Sequence, residues 1–538
     1  MSDVSINDQV QSLIAKYEGK EISVAELLCD MHARNPENIG LIYENGSGEN
    51  TQYTFAQLKE LSSKFAGALA EMGIRKGDRV GIMLPKCPEM VIAALGIWRL
   101  GAVYLPLFTA FGPEAIKHRV IDSGAKMVIT DDKNRPKLEE LLSIFPVDVI
   151  VVSKEAGGFW DEIEKANPVE KSTLVEGDEL VGLLYTSGTT GNPKGVEIPV
   201  KALASMEAYM RFALDVREED VYLNLADPGW AYGLYFNLIG PLLLGKGILF
   251  YGSPFNPLEV YRVMEKYHVT NFAAAPTAYK GLLNVGENIA DMYHLNLRVA
   301  SSAGEPLSPS IIVWAQQEWG IPIYDHFGQT ELGMTINNHH HPNLEDMLKP
   351  GSMGKSTPGF RMVVLDEEGG ELGPNQEGQL AVDTLHSPMC WFKRYWNDVE
   401  RTKSKYSVDG RYILVGDEAT IDNEGYFFFS GRADDIILSA GYRIGPFEVE
   451  SVLMEHGSVA EVAVVGVPDE LRNEVVKAYV VLKEGVKPSE ELAQVLSQFV
   501  KERLSAHEYP RQVEFLKELP KTPSGKIQRF LLKTLISK

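Results

Sequence analysis

The chain has 538 residues, more than one hydrophobic core usually accommodates, so two or more domains are expected. Its hydrophobic content of 44% and aromatic content of 9% are typical of a globular protein. The formal net charge of −22 argues against general binding to nucleic acid or to an anionic membrane surface. A polyanionic substrate would need local basic groups against this acidic background.

The cysteines and the two ends of the chain bear on the cellular compartment. Cys29, Cys87 and Cys390 are widely spaced and give neither a disulfide framework nor a zinc-binding pattern. The N-terminal segment is polar, and no run reaches the roughly 18 apolar residues of a membrane span. The last residues, LISK, lack the S-K-L peroxisomal signal. We therefore expect a cytoplasmic protein without stable membrane insertion.

The first two hundred residues alternate between predicted helices and strands. Thr54 can cap a helix whose apolar residues recur at three- and four-residue steps as far as Met72, and Gly73 can end it. This alternation predicts open α/β sheets with parallel strands, in which ligands lie beyond the carboxyl ends of the strands. The predicted elements after Gly73 are strands at 79–84, 103–106, 127–130, 149–153 and 180–184, and a helix at 90–100.

The last hundred residues predict a second, smaller domain. Strands are predicted at 459–467 and 477–485, and an apolar stripe from Leu492 to Leu504 predicts a helix. A cluster of Gly, Arg and Asp at 431–435 suggests the boundary. We expect a large N-terminal domain with doubly wound parallel sheets at residues 1–433, and a small α+β domain at residues 434–538.

A loop directly after the predicted strand at 180–184 has the composition of a phosphate-binding site. Its glycines let backbone N–H groups approach an oxyanion, its hydroxyls add donors, and its lysine adds a positive charge. The spacing differs from the Walker pattern G-x-x-x-x-G-K-[ST]. We interpret it as a nucleoside triphosphate site rather than a flexible surface loop. The candidate residues are Thr186, Ser187, Gly188, Thr189, Thr190 and Lys194.

The same segment, YTSGTTGNPKGV, resembles the phosphate-loop signature of the adenylate-forming superfamily, which includes acyl-CoA synthetases, luciferases and nonribosomal-peptide adenylation domains. Three later segments resemble further motifs of that family, in the same order. They are YDHFGQTELG at 324–333, YILVGDEATIDNEGYFFFSGRADD at 412–435 and LPKTPSGKIQR at 519–529. The resemblance covers nearly the whole chain and is to the branch of acetyl-CoA and medium-chain acyl-CoA synthetases. It implies ATP, Mg²⁺ and coenzyme A as cofactors.

The resemblance also assigns roles around the nucleotide. The loop at 186–194 would hold the β- and γ-phosphates, Glu331 with Thr186 would bind Mg²⁺, and Thr330 would bond to the α-phosphate. Taken alone, Glu331 could equally be a solvated turn carboxylate. The segment SAGEPL at 302–307 resembles the part that contacts adenine. The adenine candidates are Gly304, Glu305 and Pro306, with Asp325 close to them.

Asp417 is the candidate for the ribose, because one carboxylate can accept two hydroxyl hydrogens at once. Arg432 would contact the same ribose or a phosphate, although a surface ion pair is an alternative.

The C-terminal part of the resemblance implies a mobile domain. Lys526 would neutralise the substrate carboxylate and the α-phosphate during adenylation, although composition alone would make it a solvated lysine. Asp434 would be the hinge about which the domain rotates before thioester formation. The segment LSAGYRIGP at 438–446 resembles the lining of the pantetheine tunnel. There Gly441 would leave room for the thiol arm, and Arg443 would contact the adenylate phosphate.

The acyl pocket is expected near DPGWAYG at 227–233, the SAGEP segment and the FGQTE segment. Acetate-restricted relatives carry a bulky aromatic where this chain has glycine, so the resemblance implies a deeper pocket and an acid larger than acetate. Core packing or a turn requirement could equally explain some of these residues. The candidates for the pocket lining are Trp230, Ala231, Tyr232, Ala303 and Gly328.

The sequence thus predicts an AMP-forming ligase that joins a short branched, medium-chain or aromatic carboxylic acid to coenzyme A. Two alternatives remain: an enzyme that loads a carrier-protein thiol, and a catalytically silent nucleotide-binding homologue. The row His339, His340, His341 invites a metal hypothesis, but adjacent residues cannot easily present three ligands to one ion. We predict that this row is a polar loop.

Overall fold

The computed structural model describes residues 5–153, 158–186, 193–286, 289–304, 307, 309–432, 437–444, 446–520, 527 and 529–534. None of the helices in these ranges combines the length and apolarity needed to cross a membrane. The helices are α1 (Ile6–Tyr17), α2 (Phe55–Glu71), α3 (Pro88–Arg99), α4 (Pro113–Ser123), α5 (Glu139–Ile144), α6 (Phe159–Lys165), α7 (Ala202–Ala208), α8 (Ala231–Gly233), α9 (Gly240–Leu243), α10 (Pro257–Lys266), α11 (Pro276–Leu283), α12 (Pro309–Glu318), α13 (Val399–Ser404), α14 (Pro446–Glu455), α15 (Glu490–Arg503) and α16 (Arg529–Thr534).

The strands form four sheets. They are β1 (Ile39–Glu44), β2 (Asn50–Thr54), β3 (Arg79–Met83), β4 (Val103–Pro106), β5 (Met127–Asp131), β6 (Asp148–Val152), β7 (Leu180–Thr186), β8 (Lys194–Pro199), β9 (Tyr222–Asn224), β10 (Ile248–Tyr251), β11 (Asn271–Ala274), β12 (Val299–Ala303), β13 (Ile323–Gln329), β14 (Gly333–Asn337), β15 (Ser352–Ser356), β16 (Met362–Leu365), β17 (Gly378–Asp383), β18 (Tyr412–Ile421), β19 (Phe427–Arg432), β20 (Ile437–Ser439), β21 (Tyr442–Ile444), β22 (Val459–Asp469), β23 (Asn473–Leu482) and β24 (Gln512–Leu516).

The sequence-based prediction of this framework is confirmed at its main points. Helix α2 begins at Phe55 with a capping box, in which the Thr54 hydroxyl accepts from Gln57 N and the Gln57 side chain accepts from Thr54 N. Every strand predicted before residue 185 occurs within one or two residues of its predicted bounds. These segments are short apolar runs between turn signals, and such runs are typical of buried parallel strands.

Two of the sheets position the candidate site. The six-stranded sheet has the order β6-β5-β3-β4-β7-β8, parallel from β6 to β7, with β8 antiparallel at the edge. In the ten-stranded sheet, β9, β11, β12 and β13 are parallel, and the remaining six strands, β14 to β19, continue it antiparallel. Thr186, Ala303 and Gln329 are the last residues of three of the parallel strands. Ligand sites are expected at this end of such sheets.

A small three-stranded sheet, β10-β1-β2, lies at the N-terminal side, and the C-terminal region forms a five-stranded sheet of its own around the long hairpin β22–β23. One apolar cluster joins residues of both regions: Leu105 and Leu183 from the six-stranded sheet belong to the same cluster as Val464 and Val480. The large and the small α/β units therefore share buried apolar surface, and the predicted fold class is confirmed.

Candidate active site

The phosphate loop starts and ends on paired strands. Thr186 at the end of β7 lies opposite Lys194 at the start of β8, so the antiparallel pair brings both ends of the loop together. The hydroxyl of Thr186 is buried and has no hydrogen-bond partner among the described residues. A buried unpaired hydroxyl is costly unless a ligand satisfies it. Ser187, Gly188, Thr189 and Thr190 lie outside the described residues.

Lys194, Tyr395 and Glu331 form one compact cluster. The Lys194 Nζ donates to the Tyr395 hydroxyl at 2.8 Å and lies 3.2 Å from Glu331 Oε1. The Tyr395 hydroxyl in turn donates to the same Oε1 at 2.7 Å. Glu331 and Tyr395 are both buried. The sequence pointed to Lys194 and Glu331 but gave no signal for Tyr395, which lies 201 residues from Lys194 along the chain.

The end of β13, two residues before Glu331, contacts Asp417, the residue predicted to bind the ribose. The Nε2 of Gln329 donates to Asp417 Oδ2 at 3.3 Å and to the carbonyl of Val415 at 2.8 Å. The Lys405 Nζ donates to Gln329 Oε1 at 3.0 Å. Asp417 is buried and lies opposite Arg432 in the β18–β19 pair, although the Arg432 side chain is outside what is described. The sequence gave no signal that Gln329 and Lys405 belong to this cluster.

Thr330 and Glu331 lie in the short connection between β13 and β14. The Tyr235 hydroxyl donates to the Thr330 carbonyl at 2.9 Å and fixes this turn from the other side. Glu331 supplies a carboxylate and Thr186 a buried hydroxyl, which are oxygen ligands of the type that Mg²⁺ prefers. One carboxylate is enough where substrate phosphates supply further oxygens. Among the described residues there is no cluster of three His, Cys, Asp or Glu side chains suited to a metal.

The predicted adenine segment lies at the end of β12. Ser302 and Ala303 pair with Asp325 and His326 of β13, so Asp325 is adjacent to this segment, as the resemblance implied. Gly304 has a φ of +102° and open space where a Cβ would be. Asp325 Oδ2 accepts from Leu307 N at 3.4 Å, and Oδ1 has no partner among the described residues. Glu305 and Pro306 lie outside those residues.

Burial raises the pKa of the Asp325 carboxyl to about 8, although the backbone N–H groups of Leu307 and His326 favour the charged form. A free aspartate has a pKa of about 3.9, so between about pH 4 and pH 8 the folded protein holds a proton that the unfolded chain has released. This group therefore makes stability fall as pH rises through that window.

Asp325→Asn is expected to remove this pH dependence, because the amide cannot ionise. The melting temperature of the variant minus that of the unmodified protein should increase from about pH 5 to about pH 8 and then level off. Thermal unfolding across that range measures the difference, and the exposed Asp132→Asn corrects for the loss of one carboxyl. A difference that stays constant or decreases with pH would show that Asp325 is charged in the folded protein.

The predicted acyl-pocket residues split into two groups. The Tyr232 hydroxyl lies 3.2 Å from the Tyr209 hydroxyl, which in turn lies 2.8 Å from His326 Nδ1. Ala231 is half-buried against the same core, and Ala303 is buried at the end of β12. Trp230 faces elsewhere, into an aromatic cluster with Phe108, Phe111 and Tyr442. These contacts do not test whether the five candidate residues line an acyl pocket, so that assignment stays a prediction.

Gly328 lies where strand β13 is packed tightly against the start of β14. A Cβ on Gly328 would collide with the carbonyl oxygen of Gly333 and lie 2.6 Å from Met334 Sδ. Gly328 adjoins an irregularity in the β13–β14 pairing, where the two backbones approach closely. Its missing side chain thus permits this hairpin, so a turn requirement accounts for the glycine, and its place in the acyl pocket stays a prediction.

Gly328→Ala is therefore expected to destabilise the protein by about 1–3 kcal/mol and to lower activity towards every acid alike. Gly457→Ala is the matched control, because a Cβ at Gly457 meets nothing within 4 Å. Chemical denaturation and kcat/KM for several acids test the prediction. An alanine at 328 that keeps stability and changes only the preference among acids would restore the pocket hypothesis.

The histidine row is not the polar loop that we predicted. His339 and His340 are buried, and the His340 ring stacks on Tyr324 at a centroid distance of 3.9 Å. His340 Nε2 lies 3.1 Å from Ser301 Oγ. Burial lowers the pKa of His340 to about 3 and that of His339 to about 4, so both are neutral packing residues.

A hairpin of the small domain packs against the candidate site. Strands β20 and β21 pair in antiparallel orientation, and the turn between them contains Ala440 at φ +53° and Gly441 at φ +81°. The Tyr442 ring lies 5.7 Å from Trp230 and stacks on His507 at 3.6 Å. Arg443 pairs with Leu438 through its backbone, and its side chain is outside what is described. Asp434 and Lys526 are also outside the described residues.

Two family models match separate parts of the chain. The sequence model described as AMP-binding enzyme matches residues 30–396, and that described as AMP-binding enzyme C-terminal domain matches residues 448–526. The chain belongs to the AMP-binding enzyme family. Neither match covers residues 397–447, so the domain boundary at 433 and 434 stays a prediction.

Three similar proteins are acetyl- or acyl-CoA synthetases by name. The chain is 38% identical over 533 residues to the acetyl-coenzyme A synthetase of Bacillus subtilis, covering 95% of this chain and 90% of the relative. It is 37% identical to a mitochondrial acyl-coenzyme A synthetase of Mus musculus, covering 90% and 84%. A solved acyl-CoA synthetase of Brucella canis is 44% identical with a TM-score of 0.74, covering 98% and 97%. The prediction of an adenylate-forming ligase of the acyl-CoA synthetase branch is confirmed.

Proposed function

We propose that this enzyme of the AMP-binding family is an ATP-dependent acid–CoA ligase that works in two half-reactions. In the first, the carboxylate oxygen attacks the α-phosphorus of ATP, and pyrophosphate leaves, which gives an acyl adenylate. In the second, the thiol sulfur of coenzyme A attacks the acyl carbon and loses its proton, and AMP leaves. The products are acyl-CoA, AMP and pyrophosphate.

One observation carries the proposal. The end of β13 places Gln329 on Asp417, and the turn that follows places Glu331, two residues later, on Lys194. A carboxylate suited to a ribose diol and a carboxylate–lysine pair suited to a metal-bound phosphate thus meet on the same short turn. A nucleotide lying along this turn would have its ribose at one end and its β- and γ-phosphates at the other.

The charges fit the needs of adenylation. A carboxylate and a triphosphate repel each other, so their reaction requires cations at the site. Lys194 is a cation at the phosphate end, and Mg²⁺ at Glu331 and Thr186 would neutralise phosphate charge. Lys526 would supply a second mobile cation beside the α-phosphate. The net charge of −22 for the whole chain makes such local cations necessary for binding a polyanion.

The acceptor in the second half-reaction is proposed to be coenzyme A rather than a carrier-protein thiol. The hairpin that carries Gly441 and Tyr442 packs against Trp230, and the sequence of this hairpin resembles the lining of a pantetheine tunnel. The named relatives are coenzyme A ligases. We further propose that the acid is larger than acetate, short branched, medium-chain or aromatic, because the resemblance places a bulky aromatic of acetate-restricted enzymes at the position of Gly328, and the close approach of Gly333 and Met334 leaves no room for one here.

A panel of acids tests both parts of the proposal. Pyrophosphate exchange with ATP should require an acid, and the preferred acid should be larger than acetate. AMP formation should then require coenzyme A. No exchange with any acid of a panel from acetate to octanoate and benzoate would favour the silent homologue. Exchange without any use of coenzyme A would favour the carrier-protein alternative, and a preference for acetate over every other acid would overturn the size assignment.

A further inference from the structure

We infer that Tyr395 is a positioning residue of the phosphate site, whose hydroxyl holds the Glu331 carboxylate in the orientation that receives metal-bound ATP. The inference rests on the proposed function, because it gives Glu331 and Lys194 their roles towards the nucleotide. Neither the sequence motifs nor the relatives' names assign anything to Tyr395.

The contacts of the phenol place it between the two charges. Its oxygen accepts from Lys194 Nζ at 2.8 Å and donates to Glu331 Oε1 at 2.7 Å. The Lys194 ammonium also lies 4.3 Å from the centre of the Tyr395 ring, within the range of a cation–π contact. The phenol therefore interacts with the cation through both its oxygen and its ring face, while it holds one defined oxygen of the carboxylate.

The backbone of Tyr395 is fixed to the strand that carries Lys194. Tyr395 forms an isolated bridge with Val196, and the neighbouring Trp396 N donates to the Gly195 carbonyl at 2.7 Å. Tyr395 N donates to Thr402 Oγ1 at 2.9 Å, and the side chain is 2% exposed. Glu331 comes from the turn after β13 in the ten-stranded sheet. Tyr395 thus couples the phosphate strand of one sheet to the carboxylate turn of the other.

The position of the hydroxyl explains why a phenol is needed. Lys194 and Glu331 attract each other directly, and the lysine must leave this pair to reach a phosphate oxygen. A buried carboxylate that loses its donor pays a desolvation cost. The Tyr395 hydroxyl keeps its hydrogen bond to Oε1 when the ammonium moves, so the carboxylate keeps its orientation. With phenylalanine the ion pair would tighten, and the carboxylate would turn with the lysine.

The test compares Tyr395→Phe with Tyr406→Phe. Tyr406 is a suitable control because its hydroxyl donates to the backbone carbonyl of Phe392 at 3.1 Å, and its ring contacts the same Phe392 as Tyr395 does. Calorimetric titration gives the Kd for ATP with excess Mg²⁺ and for ATP in EDTA. We expect Tyr395→Phe to weaken binding of MgATP by about tenfold or more and binding of free ATP much less. Tyr406→Phe should match the unmodified protein in both titrations.

A double-mutant cycle distinguishes a positioning role of Tyr395 from a general loss of structure at the site. Glu331→Gln keeps an acceptor for the hydroxyl but removes the charge. If Tyr395 acts through Glu331, the variant with both substitutions should bind MgATP no more weakly than Glu331→Gln alone. Additive losses would overturn the inference, as would an unchanged affinity of Tyr395→Phe for MgATP. Failure of the unmodified protein to bind MgATP would instead contradict the proposed function.

Melting curves show whether Tyr395→Phe is folded. If it is not, a second variant provides the test. Thr402→Val keeps the phenol and removes the acceptor of Tyr395 N. It should weaken MgATP binding in the same metal-dependent way but to a smaller extent. A folded Thr402→Val protein with unchanged binding of MgATP would count against the positioning role.

Discussion

Lys526→Ala is expected to abolish formation of the acyl adenylate while leaving thioester formation from supplied acyl-AMP largely intact. The lysine is assigned to the first half-reaction only, where it would neutralise the carboxylate and the α-phosphate. Removal of one such preorganised donor typically lowers a rate by roughly 100- to 1,000-fold. Acid-dependent pyrophosphate exchange measures the first step, and release of AMP from synthetic acyl-AMP and coenzyme A measures the second.

Residues close to Lys526 in the sequence have structural contacts, and they are therefore unsuitable as controls. Arg529 donates to Glu450 Oε1 at 2.8 Å, and Ile527 packs against the apolar cluster of the small domain. The exposed Lys517→Ala removes a positive charge from the same domain and should leave both steps unchanged. Equal losses in both half-reactions of Lys526→Ala would show that the lysine has a general structural role.

Tyr442→Ala is expected to affect the two steps in the opposite way to Lys526→Ala. The rate of thioester formation should fall by roughly ten- to a hundredfold, and the rate of adenylation should be largely preserved. The Tyr442 ring contacts Trp230 at 5.7 Å, Phe108 at 5.8 Å and His507 at 3.6 Å. Each aromatic pair contributes about 0.5–1.5 kcal/mol beyond the burial of its surface. Loss of the contacts with Trp230 and Phe108 of the large domain should disfavour the domain arrangement that places the β20–β21 hairpin at the site.

Tyr442→Phe is the matched variant, because it keeps the ring and loses only the hydroxyl. It should retain most of the thioester-forming rate. Burial lowers the pKa of His507 to about 4, so its stacking on Tyr442 should be the same from about pH 6 to pH 9. If Tyr442→Ala slows adenylation as much as thioester formation, this arrangement of the two domains is needed for both steps.

The half-reaction assays also examine the hinge. Asp434 is predicted to be the pivot, and along the sequence it falls between β19 of the ten-stranded sheet and β20 of the five-stranded sheet. Opposite selectivities of Lys526→Ala and Tyr442→Ala would mean that two faces of the small domain serve the two steps in turn. That result would support a rotation about this connection.

The sequence by itself determined the local elements and the identity of the chemical groups. Thr54 with Gln57 specifies the start of a helix through hydrogen bonds within one turn, and the short apolar runs specify buried strands. The parallel part of the six-stranded sheet follows from the helix–strand alternation of the first two hundred residues. Lys194 could be singled out from the composition of its loop, whereas Glu331 and Asp417 could be singled out because their segments resemble motifs of a known family. These features depend on neighbours in the chain.

Only the tertiary structure decided which of these groups meet. Tyr395 is 201 residues from Lys194 and 64 from Glu331, and no local pattern encodes contacts over such separations. The burial of His339 and His340 depends on packing against β12 and β13, which outweighs the polar character of the row. The role of Gly328 depends on how closely β14 approaches, a distance that the pairing of two strands sets. Periodicity and capping are local properties of the sequence, whereas the composition of the site results from long-range packing.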